Sequence, residues 1–342
     1  ALYGIRYYMD IKDIDQKEKD SHPEKMYFYR FASRFDMNRY FSEKVYEDDR
    51  YLVYKNSNSF PIAFGVNELV ANLQLDFNNA VKNQDKILNS MEGIEKGQEN
   101  YVDYFKPLAF GAIETENLVA EDVNKEKGTA VYKREDTSKE AIVRYRITPQ
   151  TDLTYYFLAP DSLNFVDEYS VLLNGRWFTH SKKNMQRQLW QIADKAAGKE
   201  SVLEFRFKSD KVDISHAGVF RADVDQIQKV LEKRKAQGLQ VEKFSNTHII
   251  GSVDITDDSQ FMMTSIPYSA GWKVKVDGKD VPTSKAWNSL LSFPITSGQH
   301  KVEFVFSQKG TLLGLILSLI SVTILYIDRK SYQKKAKLTS QD

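Results

Sequence analysis

Over most of the chain, apolar and polar residues alternate with a period of two, which is the pattern of half-buried strands. The alternation is clearest at 141–147, where Ile142, Arg144 and Arg146 oppose Val143, Tyr145 and Ile147. Between 112 and 222 further strands are predicted at 130–132, 154–158, 169–173, 176–178, 201–207 and 219–220. Between 239 and 309 they are predicted at 241–244, 248–253, 260–264, 272–276, 289–293 and 301–306. Asn174-Gly175 and Asp277-Gly278 interrupt two of these runs and predict type I′ hairpins, because both central residues of that turn need positive φ. Ser170–Trp177 resembles Lys273–Asp280, and 198–207 resembles 298–306, so one hairpin-plus-strand unit is expected twice, about 100 residues apart.

The first 111 residues are mixed. Strands are predicted at 2–9, 26–31, 44–46, 51–54 and 62–66, with a charged loop at 10–24. The period then changes. Helices are expected at 68–75 and 79–92, the second with Ile87, Leu88 and Met91 on its apolar side and Gly93 as its stop. A further helix at 223–236 has Asp223 as N-cap and Val224, Ile227, Val230 and Leu231 as its apolar stripe. The expected fold is α+β. A mixed unit (1–111) precedes a β-sandwich of jelly-roll type (112–222), a linking helix (223–238) and a second sandwich (239–309).

Residues 310–327 break the pattern, being uncharged throughout. About 18 apolar residues at ~1.5 Å each just cross a bilayer core. The Ser and Thr members of this run can bond back to their own helix, and Tyr326 suits the headgroup level. Arg329, Lys330, Lys334, Lys335 and Lys337 follow, so 328–342 is expected to be a basic cytoplasmic tail, with the bulk of the protein outside. The chain opens Ala1-Leu2-Tyr3, without Met or a signal peptide. An upstream segment is therefore expected to carry it across the membrane.

Composition narrows the chemistry. A net charge of +1 leaves no nucleic-acid footprint. The absence of Cys excludes disulfides, thiolate metal sites and thiol nucleophiles. The five His (22, 180, 216, 248 and 300) have no metal-ligand spacing. Asp13-Ile14-Asp15 lies in the charged run, and Asp223-Val224-Asp225 opens a helix. Asp48-Asp49 and Asp257-Asp258 are turn acids. No nucleophile elbow, phosphate loop or dinucleotide fingerprint occurs. Neither a catalytic residue nor a metal site is assigned. Aromatics make up 13% of the chain. Trp177 and Trp272, beside the two hairpin turns, and Trp287 are the candidate saccharide contacts, since an apolar sugar face can cover an indole ring.

Four stretches together resemble the YfhO family of bacterial membrane proteins. They are Tyr3-Gly-Ile-Arg-Tyr-Tyr8, Tyr54-Lys-Asn-Ser-Asn-Ser-Phe-Pro-Ile-Ala-Phe64, Asn83-Gln-Asp-Lys-Ile-Leu-Asn-Ser-Met-Glu-Gly93 and Pro267-Tyr-Ser-Ala-Gly-Trp-Lys-Val-Lys-Val-Asp-Gly278. The closing strand at 298–306, followed by an apolar helix, adds to the match. The resemblance implies a polytopic glycosyltransferase that takes sugar from an undecaprenyl-phosphate carrier and decorates a surface polymer such as lipoteichoic acid. It also implies membrane helices upstream in the same chain, catalytic residues outside these 342, and no cofactor held here. The expected partners are membrane lipid, the polymer acceptor and those upstream helices. The alternative is a membrane-tethered carbohydrate-binding or adhesion module without catalysis.

Overall fold

In a computed structural model of the chain, the described residues are 6–11, 43–56, 58–76, 79–109, 113–124, 127–160, 163, 169–181, 189–256, 259–308 and 310–339; the side chains at 10, 11, 177–181, 312 and 332–339 are not among those described. The predicted strand at 26–31 and most of the charged run at 10–24 lie outside them, as do Asp13, Asp15, His22, Asp257 and Asp258. Antiparallel strands dominate, accompanied by four helices among the described residues, which is an α+β fold.

The first sandwich is built on β9 (Ala141–Ile147), in which Ala141, Val143, Tyr145 and Ile147 are buried while Arg144 and Arg146 point outward. β6 (Ile113–Glu116), β11 (Tyr169–Leu173), β12 (Arg176–Ser181) and β14 (Ser201–Phe207) complete its sheet in the order β12-β11-β14-β9-β6. The facing sheet runs β13-β10-β16-β5, from β5 (Phe105–Leu108), β10 (Thr154–Leu158), β13 (Leu189–Ala193) and β16 (Gly218–Ala222). Between them Trp190 stacks on Phe157, ring centroids 6.2 Å apart, and Tyr145 and Phe205 pack on the same ring. A smaller sheet of β15 (Lys211–Asp213), β8 (Thr129–Arg134) and β7 (Leu118–Asn124) joins this core through Val212 and Tyr132.

The second sandwich repeats the plan. β17 (Gln240–Phe244), β18 (His248–Ile255), β20 (Trp272–Val276), β21 (Lys279–Val281) and β24 (Gly298–Phe306) are ordered β21-β20-β24-β18-β17. Opposite lie β22 (Ser284–Ala286), β23 (Leu290–Pro294), β19 (Phe261–Pro267) and β4 (Ala63–Val66). The two predicted hairpins are built with the same device. Asn174 and Gly175 have φ of 52° and 75°, and Asp277 and Gly278 of 51° and 77°, as type I′ requires. In each, the first turn residue also clasps the neighbouring strand. Asn174 N donates to Val202 O (2.9 Å) while Val202 N donates to Asn174 Oδ1 (2.8 Å). Asp277 N donates to Lys301 O (2.9 Å) while Lys301 N donates to Asp277 Oδ1 (2.9 Å).

Residues before 112 are shared between the two sandwiches. β4 pairs with β19, nearly 200 residues downstream, and β5 pairs with β16. β3 (Tyr51–Lys55), flanked by β1 (Tyr7–Ile11) and β2 (Glu43–Glu47), forms a separate small sheet. The helix expected at 68–75 is a single turn, α1 (Leu69–Asn72), whereas α2 (Ala80–Met91) is present as predicted. Asn79 caps α2 by accepting Lys82 N at 3.0 Å, and Gly93 ends it at φ 77°. α3 (Val224–Ala236) is capped by Asp223, whose Oδ1 accepts Gln226 N at 3.0 Å. Its apolar stripe packs with Val70, Val81, Leu88, Phe105, Ala222 and Met263 in a third core lying between the sandwiches.

α4 (Thr311–Thr339) follows β24, and its described apolar side chains, from Leu313 to Ile327, are exposed. Ser318, Ser321 and Thr323 each donate to the carbonyl four residues earlier at 2.8 Å, which satisfies their hydroxyls within the helix. Among the described residues no helix is long and apolar enough to cross a membrane. The uncharged run of described side chains, 313–327, reaches about 22 Å, short of a ~30 Å hydrocarbon core. The fold taken by itself therefore leaves the expected transmembrane span unconfirmed.

Candidate functional site

Of the three tryptophans chosen from sequence, Trp272 and Trp287 have described side chains, and these two lie in different cores. The Trp177 side chain lies outside the described residues. Trp272 starts β20 and is half-buried against Phe306, ring centroids 5.1 Å apart. Trp287 sits in the turn between β22 and β23, with Asn288 beside it, both at positive φ (48° and 58°). It is only 5% exposed and belongs to the core between the sandwiches, so its ring offers no open face to a sugar. Its backbone N donates to Val70 O at 3.3 Å, which holds the turn against α1. Its indole Nε1 has no partner among the described residues.

Several of the described acids and histidines are committed to structure. Asp48 Oδ1 accepts Arg50 N and Tyr51 N in a turn. His248 pairs with Glu303 at 2.7 Å, and His300 Nδ1 with Asp277 Oδ2 at 2.8 Å. The Asp277 carboxylate holds the His300 pKa above its usual value, and Asp277 is correspondingly lowered. Among the described residues no group of three His, Cys, Asp or Glu could hold a metal.

A cavity of about 340 Å³ opens instead beside α1 and α2. Its apolar lining is Leu69, Leu73 and Ile94, and its polar lining includes Asn72, Gln74, Lys86, Ser90, Glu95, Lys96 and Tyr101. That volume lies within the range of small-molecule sites. The wall is braced from two sides. Lys86 Nζ donates to Gln74 O (3.2 Å) and pairs with Asp76 (3.1 Å). Asn288 of the Trp287 turn donates to Gln74 Oε1 (3.0 Å). α2 buries three polar residues, Asp85, Asn89 and Ser90, of which Ser90 lines the cavity. Asn89 donates to Asp85 O and Val102 O, both at 2.8 Å, and accepts Val102 N at 3.0 Å. Asp85 accepts Phe105 N at 3.1 Å, and burial pushes its carboxyl up to about 7. The same burial, with the charges of Asp85 and Asp103, raises the Tyr101 hydroxyl. Sequence reading saw Ile87, Leu88 and Met91 as the inner side of α2 and missed its polar members. The signal available was their spacing, since Asp85, Leu88 and Asn89 fall at i, i+3 and i+4. The chemistry on view is binding, with donors, acceptors and an apolar surface around one small volume.

The described residues form a β-rich α+β body of two sandwich-like units, followed by a helix whose described apolar side chains are exposed. The family described as "Bacterial membrane protein YfhO" matches residues 1–318, and the chain belongs to that family. A Bacillus subtilis (strain 168) relative, "Uncharacterized protein YfhO", is 32% identical over 73 residues, 21% of this chain and 8% of the relative. The match thus spans a small part of that relative's length. Among solved structures, a β-glucuronidase from Ruminococcus gnavus with D-glucuronic acid bound has a TM-score of 0.22 at 8% identity, covering 61% of this chain and 46% of its own. The CBM32-1, CBM32-2 and M60 catalytic domains of Clostridium perfringens ZmpB give 0.25 at 9%, covering 58% and 36%. Scores at this level establish no common fold.

Proposed function

We propose that this chain is the outward-facing part of a polytopic membrane glycosyltransferase of the YfhO family. Sugar passes from a polyprenyl-phosphate carrier to a surface polymer such as lipoteichoic acid. This part covers the membrane site and holds the acceptor, while the catalytic acid lies in membrane-proximal segments outside these 342 residues. α4 crosses the bilayer and 328–342 lies in the cytosol. The observation that carries the reading is the bare apolar run of α4 in a chain of a membrane-protein family. With Thr311 and Leu312 the uncharged helical run is about 26 Å long, and Lys330 Nζ lies 5.1 Å from the Tyr326 ring centroid, an arrangement suited to a headgroup boundary. The cavity beside α2 is the place for one saccharide unit of the acceptor.

A plug at the cavity mouth tests this. Asn72 is exposed on α1, so Asn72→Trp fills the opening without touching a core. Polymer glycosylation in cells should be lost with protein abundance unchanged, and Asn72→Ala should restore it. Unaltered glycosylation in a strain lacking the protein would refute the reading. Glycan binding by the purified protein in that case would favour the adhesion module.

A further inference from the structure

The end of the second sandwich that adjoins α4 carries an aromatic row. Phe306 closes β24 and shares a face with buried Val302 and Phe304. The register sets Trp272 opposite Phe306, and Phe244 opposite Ile249, itself opposite Phe304. Phe244, Phe306 and Trp272 therefore form the last rows of the inner face, where the facing sheet no longer covers them fully. Phe244 is 62% exposed. Tyr268, in the loop before Trp272, has Lys285 Nζ 5.2 Å from its ring centroid, and Lys243 and Lys273 are exposed nearby along the chain.

The connection to α4 is short and tied down. Ser307 N donates to Gly271 O at 2.9 Å and Phe306 N to Thr247 O at 2.8 Å, and α4 begins at Thr311. Five Cα steps span at most about 17 Å. We infer that this aromatic row, with Lys243, Lys273 and Lys285, rests in the lipid headgroup layer and seats the second sandwich on the membrane surface. The inference rests on α4 being inserted. The short tether selects lipid as the occupant, because at most about 17 Å of chain separates Phe306 from the apolar run of α4. The chemistry agrees, since rings with a polar rim and ammonium groups suit the boundary between acyl chains and phosphates. Trp272 is then a lipid anchor rather than a saccharide contact.

The chain has no Cys, so single cysteines label cleanly. Phe244→Cys, Gln299→Cys and Ser318→Cys are each made in the full chain. The first two carry an environment-sensitive fluorophore in vesicles of phosphatidylglycerol and phosphatidylethanolamine. Gln299 lies at the far end of β24, about 23 Å from Phe306. Lipids brominated near the headgroup should quench the label at 244 by more than half and leave that at 299 unchanged. Equal quenching at both sites, or none at 244 while Ser318→Cys resists an aqueous maleimide, would overturn the inference alone. A blue-shifted but unquenched label at 244 would also overturn it, because protein rather than lipid would then cover the row. Free reaction of Ser318→Cys with the maleimide would refute the membrane insertion, and the inference with it.

Discussion

Asp85 shows how one buried carboxyl can couple stability to pH. Its pKa in the folded chain is pushed up to about 7, whereas an unfolded Asp titrates near 4. Between those values the folded state binds the proton and the unfolded state releases it. The contribution of Asp85 to stability is therefore fully present below about pH 4 and declines as pH rises toward 7, by at most about 1.4 kcal/mol per unit. Asp85→Asn keeps an acceptor for Phe105 N and removes the titration. Denaturation midpoints for the wild type should fall between pH 5 and 7.5, and those of Asp85→Asn should fall less, keeping only the decline from other groups such as His300. An equal slope in both proteins would show that some other group titrates. Gly251 makes a different point at the same scale. A Cβ there would meet Gln240 O at 2.4 Å, so the bulged pairing of β17 with β18 needs the bare backbone.

Among the elements, the join between α2 and α3 depends on charge placed inside. Arg234 is fully buried; its Nε donates to Glu92 Oε1, and its Nη1 donates to Ser259 Oγ at 2.8 Å. Lys233 Nζ reaches Glu92 Oε2 at 2.8 Å. Removing one partner of a buried pair leaves the other poorly solvated, so Glu92→Ala should cost about 3 kcal/mol in chemical denaturation. Adding Arg234→Met should recover part of that loss, and no recovery would mean that packing rather than charge sets the cost. The edge strands use charge differently. β6 carries Glu114 and Glu116, which pair with Arg146 and Arg144, and those arginines also reach Glu200 and Glu204. This outward ladder explains why β6 escaped sequence reading. A short strand with charges on its exposed face and a single Ile lacks the apolar alternation that marked β9.

For the whole molecule the decisive question is which side of the membrane each part occupies. Protease added to intact protoplasts should degrade the β units and spare a tag at the C-terminus; the reverse outcome would invert the topology. Much of the architecture was legible beforehand. The hairpins at Asn174-Gly175 and Asp277-Gly278, the stop at Gly93, the cap Asp223, the repeated sandwich plan and the apolar run of α4 are all local signals. They follow from φ preferences, hydrogen-bond reach and side-chain period, which a few neighbouring residues define. What the tertiary structure alone decided is longer in range. It assigned β4 and β5 to different sandwiches, buried Trp287, turned Asp85 inward and opened the cavity beside α2. Those outcomes depend on which surfaces fit after hundreds of residues have closed into loops, and periodicity records that a face is apolar without recording what covers it.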